Sequence, residues 1–226
     1  MDRGSFSVEC ILTLFAFKVM DPSCLHMGRG NHETLNMNKM YGFLGEVQAK
    51  FSNQVFDVFS EVFNLLPLGC VIGDRVLCVH GGLFSKDGVT LDDVRRLDRR
   101  REPPDEGLMC EMLWSDPHPM PGRHPSKRGV GVAFGPDVTA RFLDENNLKM
   151  LVRSHEVKDE GYEVEAGGRL VTVFSAPNYC DQMGNKGAVI TFDTECEPTY
   201  TTFTAVPHPP IPPMHYVDRN IMNMMR

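Results

Sequence analysis

The chain holds one tryptophan in 226 residues and no CxxC pair among its seven cysteines, which stand at positions 10, 24, 70, 78, 110, 180 and 196. An odd count at irregular spacing argues against a disulfide framework or a zinc knuckle, and reduced thiols are expected. Long hydrophobic runs are missing. The most apolar stretch, residues 11–17 (ILTLFAF), is too short to span a bilayer and is followed by Lys18. A charged leader with a cleavage site is also lacking, so no signal peptide is read. Positive charge is not in excess: the net charge of −7 removes the broad basic footprint of general nucleic-acid binding. It leaves room for a local basic pocket and an anionic ligand. No internal repeat or low-complexity block is present.

What remains is ordinary globular material, 42% hydrophobic, long enough for one large domain or two small ones. Residues 7–19 carry apolar side chains at helical spacing and predict a buried helix that Asp21-Pro22 ends. Residues 24–27 (CLHM) read as a short strand delivering the loop GRGNHE. Phe51, Val55, Phe59 and Phe63, spaced by four, predict one or two amphipathic helices over 45–66. Two β-branched runs around Gly73-Asp74 predict a hairpin over 70–82 ending in His80-Gly81-Gly82. A short helix is expected at 91–97, mostly loop over 101–131, and a helix over 137–147 with Asp137 as its N-cap. A strand over 148–156 ends in Arg153-Ser154-His155-Glu156. A second hairpin turns at Gly167-Gly168, a further strand covers 186–193, and the proline-rich residues 207–216 run extended over the surface. Strands and helices alternating irregularly, with hairpins, favour mixed sheets with helices packed outside.

Three histidines recur in one context, a strand followed by His and a tight turn: His32, His80 and His155. Strand ends in layered α/β proteins converge on one rim, where sites are commonly built. Neutral imidazole and the Asn31 amide oxygen suit Zn, Mn or Fe without any thiolate. Arg3, Arg128 and Arg153 stand in matching places, and a planar guanidinium at a metal rim suits a doubly charged phosphoryl group. Tyr179 follows a strand and brings a hydroxyl to the same region. A cysteine nucleophile is disfavoured: no Cys-x5-Arg pattern exists, and Asp181 beside Cys180 would raise a thiol pKa.

Taken in order, DRGSFSVE (2–9), RGNHE (29–33), HGGLF (80–84), KRGVG (127–131), RSHE (153–156) and SAPNYCDQMGNKGA (175–188) resemble the phosphoprotein phosphatase family of metal-dependent serine/threonine protein phosphatases. The flanking text GVTLDDVRRL, MCEMLWSDP, FGPDVT, HEVKDEGYEV and FTAVPHP belongs to the same pattern, so the resemblance covers essentially the whole chain. It implies an α/β metallophosphoesterase fold: a central β-sandwich of mixed sheets flanked by helices, with two divalent metals (Mn, Fe or Zn) at the sheet rim. By the matching motifs, Asn31, His80 and His155 are metal ligands. His32 is the general acid, with Asp2 orienting it. Arg3 and Arg128 grip the phosphoryl oxygens, and Asn31 and Tyr179 lie against the substrate. The reaction implied is hydrolysis of phosphoserine or phosphothreonine by metal-activated water, with no phosphoenzyme.

The family's longer motif Gly-Asp-x-x-Asp-Arg-Gly is represented only by its second half, and its Gly-Asp-x-His-Gly segment, which supplies the other ligands of the first metal, is not found. The expectation is therefore a single, partial catalytic domain over 1–226, short of its N-terminal strand or strands, with a proline-rich tail from about 207. First-metal ligands and the tetratricopeptide arm of some relatives are expected to be absent. Gly28, where relatives carry a large apolar residue, is expected to weaken its strand. Two readings stand: a protein phosphatase acting on phosphoproteins, or a catalytically dead remnant that binds a partner. A nucleotidase or nuclease is weakened by SAPNYCD and KRGVG and by the lack of an aromatic nucleic-acid platform. No nucleic acid and no membrane span are expected, and the location is expected to be cytoplasmic, nuclear or both.

Overall fold

The computed structural model describes residues 1–212. The seven α-helices among the described residues are α1 (Ser7–Met20), α2 (Leu35–Tyr41), α3 (Phe43–Lys50), α4 (Asn53–Leu65), α5 (Leu91–Arg95), α6 (Leu108–Trp114) and α7 (Pro136–Glu145). The strands are β1 (Gly69–Ile72), β2 (Val76–Val79), β3 (Asp116–Pro117), β4 (Arg123–Pro125), β5 (Val132–Phe134), β6 (Met150–Arg153), β7 (Tyr162–Glu165), β8 (Leu170–Val173), β9 (Gly187–Phe192) and β10 (Pro198–Phe203).

The main sheet has the order β1-β2-β6-β8-β7. Its three inner strands β2, β6 and β8 run parallel, and the outer two are turned back by hairpins. That arrangement suits the pattern: VLCV, MLV (before Arg153) and LVTV are largely apolar, as expected of strands covered on both faces. Gly73 and Asp74, both at φ 56°, make the first hairpin's turn. On one face, Leu77, Val79, Leu151 and Leu170 pack with α6 and α7 through Met112, Leu113, Phe142 and Leu143. On the other, Val76, Met150, Val152 and Val171 meet Ile190, Phe192 and Tyr200 of the antiparallel pair β9–β10. The result is the expected sandwich, although its second sheet has two antiparallel strands rather than a mixed set. A third, small mixed sheet is ordered β3-β5-β4.

The N-terminal helices form their own cluster. Phe43 is its centre, 5.2 Å from the Phe59 ring and 5.7 Å from Phe63. Glu46, fully buried, accepts from the backbone N–H of Ser7 (3.1 Å) and Val8 (2.9 Å) at the open end of α1 and pairs with Lys50 at 2.8 Å. Beside the β1 end of the main sheet, α1 and α4 leave an apolar groove of about 780 Å³ that Leu66, Leu68, Cys70, Cys78 and Val79 help to line.

Several sequence expectations change. The helix over 7–19 forms but is buried on one face only: Leu12, Leu14, Phe17 and Val19 are exposed. Residues 24–27 are not a strand. They have no ladder; just beyond them, Arg29 N–H donates to Pro67 O at 2.8 Å. Gly28 accordingly sits in open space rather than in a packed strand. The 45–66 pattern resolves into two helices, broken at the exposed Phe51. The region 101–131 is mostly loop as expected, interrupted by α6, which buries five residues, and by the short strands β3 and β4. Asp137 is not an N-cap: Gly135 holds that place, Pro136 opens the helix, and Asp137 Oδ1 accepts from Gly122 N–H at 2.7 Å. Residues 207–212 are exposed and irregular; the remainder of the proline-rich tail lies outside the described residues.

Candidate active site

Because β2, β6 and β8 are parallel, their C-terminal ends share one rim. The chain leaves β2 through His80, β6 through Ser154-His155, and β8 through the stretch that reaches Tyr179. Ser154 N–H donates to His80 O at 3.0 Å and ties the first two exits together. Asn31 and His32 come to the same rim from a loop pegged by Arg29. That buried guanidinium donates to Glu33 O (3.0 Å), Arg101 O (2.7 Å) and Asn64 Oδ1 (2.7 Å). The glycines are there for clearance. A Cβ on Gly30 would meet His80 Nδ1 at 3.0 Å, and one on Gly81 would lie 2.5 Å from the backbone of Leu113.

Three donor atoms from distant parts of the chain converge. His80 Nε2 is 2.8 Å from Asn31 Oδ1 and 3.1 Å from His155 Nδ1. Burial pushes His80 down to about 3, with the Arg153 cation adding to the effect. His155 is lowered as well, by burial first and then by His80 and Arg128. Both imidazoles are thus neutral, the form that ligates. A single N–H on His80 Nε2 satisfies only one of its two neighbours, and His155 Nε2, buried, has no partner among the described residues. Donors at about 2.1 Å from a shared cation, subtending a right angle, stand about 3 Å apart. Two imidazoles and an amide oxygen therefore fit a divalent ion of the Mn, Fe or Zn type. Among the described residues no group of three or more His, Cys, Asp or Glu is placed to hold a metal ion by itself; the set here is completed by the amide.

Next to this triad, His32 Nδ1 is 2.7 Å from Asp2 Oδ2. The Asp2 side chain is fully buried, accepting also from Phe43 N–H (2.9 Å) and Asn38 Nδ2 (3.1 Å). Asn38 Nδ2 further donates to His32 O at 2.6 Å. The carboxylate fixes which imidazole nitrogen carries the proton and how the ring is turned. His32 lines a cleft of about 400 Å³ together with Asn31, Arg3, Tyr41, Arg128, His155 and Tyr179.

Arg3 is exposed and lies over the Tyr41 ring at 4.5 Å and the Tyr179 ring at 5.7 Å, in cation–π geometry. Burial raises the Tyr179 hydroxyl pKa, keeping it a donor. Arg128 grips Asp116 through Nε (2.6 Å) and Nη2 (3.3 Å) and also donates to His155 O at 3.1 Å. The site residues read from sequence, Asp2, Arg3, Asn31, His32, His80, Arg128, His155 and Tyr179, all gather at this rim. Arg153 does not reach the cleft. It is fully buried, pairing with Asp116 at 2.6 Å and Glu156 at 3.1 Å and donating to Gly81 O at 2.6 Å. The residues that sequence reading passed over are Asp116, which joins both arginines, Asn38 and Tyr41. The motif MCEMLWSDP contains Asp116, but an Asp before Pro gives no sign of which cations it will meet.

Residues 1–159 match the family model of calcineurin-like phosphoesterases. The chain is 65% identical over 225 residues to serine/threonine-protein phosphatase 5 of Arabidopsis thaliana, covering 99% of this chain and 42% of that protein. It is 62% identical over 219 residues to the human protein of that name, covering 96% of this chain and 44% of the relative. The chain thus spans less than half the length of these curated relatives. Among solved structures, a protein serine/threonine phosphatase from Saccharomyces cerevisiae with similarity to human phosphatase PP5 superposes with a TM-score of 0.88 at 43% identity, covering 94% of this chain and 70% of that one. Parallel strands ending in two metal-competent imidazoles, and an Asp-held histidine beside two arginines, agree with that kinship: the chain belongs to the calcineurin-like phosphoesterase family, in its serine/threonine protein phosphatase branch.

Proposed function

We propose that this rim hydrolyses phosphoserine and phosphothreonine in phosphoproteins. Arg3 and Arg128 hold the phosphoryl oxygens; Arg128 is kept in place by Asp116 and Arg3 by the tyrosine rings it stacks on. Asn31, His80 and His155 are the residues that would hold a divalent ion, Mn, Fe or Zn. Such an ion, when bound, neutralises the dianion and supplies a deprotonated water. His32 gives its Nε2 proton to the departing serine or threonine oxygen, and Asp2 holds the opposite nitrogen through the transfer. No thiol is used, and no covalent intermediate forms.

The observation that carries this reading is the His32–Asp2 pair standing beside three converged ligand atoms in a cleft walled by two arginines. Its test is phosphate release from a phosphoserine peptide with Mn²⁺ present. The protein is expected to release phosphate, and His32→Ala to slow it by about 10²–10⁴-fold. Release that His32→Ala leaves unchanged, or none from the unaltered protein, contradicts the proposal.

A further inference from the structure

Cys70 and Cys78 have no part in the chemistry above, yet the fold sets them opposite each other. They are direct cross-strand partners in the β1–β2 hairpin. Their neighbours Val71 and Leu77 form the next pair and turn to the opposite face, into the α6–α7 core. Residues paired directly across an antiparallel ladder have Cα atoms about 4.5–5.5 Å apart, inside the span of about 4.4–6.8 Å that a disulfide bridges without backbone movement. Both residues are half-buried and border the apolar groove beside β1, so a small oxidant has access to them from solvent. The other five cysteines have no such partner: Cys10 and Cys24 are exposed, Cys110 and Cys196 are buried, and Cys180 lies in the turn after β8.

We infer that Cys70 and Cys78 are a modification site, a dithiol that closes reversibly to a disulfide when it meets a hydroperoxide. One thiolate attacks the peroxide oxygen, the O–O bond breaks, and a sulfenic acid and one water (or alcohol) result. The second thiolate then attacks that sulfur and displaces the hydroxyl as water. Two thiols lose two electrons and two protons in all, and the peroxide takes them up. A dithiol reductant reverses the step. The closed bridge ties the hairpin whose second strand leads directly into His80.

The sequence makes the bridge easy to read, because Arg75 lies between the two cysteines. Trypsin separates them into residues 51–75 and 76–86. The folded chain is treated with hydrogen peroxide, its remaining thiols are alkylated, and it is digested. The expected result is loss of two of the seven thiols and a linked peptide pair that dithiothreitol separates. Cys78→Val is expected to abolish the linked pair while Cys10→Ser leaves it intact. Should Cys78→Val fail to fold, Cys70→Ser serves the same purpose. Recovery of both cysteines alkylated, at peroxide doses that oxidise Cys10 or Cys24, overturns the inference. So does bridging of either residue to another cysteine, or bridging that is no faster in the folded chain than in denaturant.

Discussion

Asp2 Oδ2 lies 2.7 Å from His32 Nδ1, thirty residues along the chain, and the carboxylate is fully shielded from solvent. Its remaining bonds come from Phe43 N–H and Asn38, so it is held from three sides before it orients the imidazole. Replacing it with the isosteric amide keeps the shape and loses the charge. Asp2→Asn is expected to lower kcat by about 10–100-fold with KM little changed, since the phosphoryl grip of the arginines is untouched. Steady-state kinetics on a phosphoserine peptide with Mn²⁺ checks it; a change confined to KM would place Asp2 in substrate binding instead.

Asp116 joins two cations with opposite surroundings. Arg128 is partly exposed in the cleft, while Arg153 is fully buried behind it. Removing the charge leaves Arg153 with only Glu156 as an anionic partner. Asp116→Asn is expected to destabilise the fold by about 3–5 kcal/mol and also to weaken substrate binding. Arg128→Ala is expected to show the kinetic loss with much less of the stability loss. Urea unfolding beside peptide kinetics separates the two effects.

Stability of the metal-free protein should fall on mild acidification. His80 is held at about 3 and His155 is lowered too, both chiefly by burial. The unfolded chain takes up protons near about pH 6.5 that the folded chain refuses. Stability from these groups is therefore full above that value and declines as pH drops toward the folded one. The slope is at most about 1.4 kcal/mol per pH unit for each histidine. Urea midpoints measured in chelator between about pH 7 and pH 5 are expected to fall, and His155→Asn is expected to flatten the trend.

The sequence was most legible where spacing and function coincide. His80-Gly81-Gly82 could be read because the strand pattern before it is unambiguous and each glycine clears a neighbour, Gly81 the Leu113 backbone and Gly82 the Phe134 ring. The strands before His80 and His155 are legible as apolar runs, whereas their parallel order, which makes one rim, is decided by the sheet pairing. Arg153 was misplaced because a guanidinium at a strand end looks the same whether it faces solvent or a buried carboxylate; Asp116, 37 residues away, decides. Residues 24–27 have strand composition but no ladder to join, and composition cannot supply a pairing partner. The helix Leu108–Trp114 was hidden by the prolines and glycines on either side of one short turn-rich region, although MCEML packs fully into the core.

The central claim is that Asn31, His80 and His155, drawn from three separate segments, form one cation site facing His32. Mn²⁺ binding followed by electron paramagnetic resonance tests it most directly, beside thermal unfolding of the same samples. The protein is expected to take up Mn²⁺ and to gain about 2.7 kcal/mol of stability at a hundred-fold excess over Kd. His80→Ala and His155→Ala are each expected to lose both the bound signal and the gain, while His32→Ala keeps them. Mn²⁺ binding that survives both ligand substitutions unchanged contradicts the account.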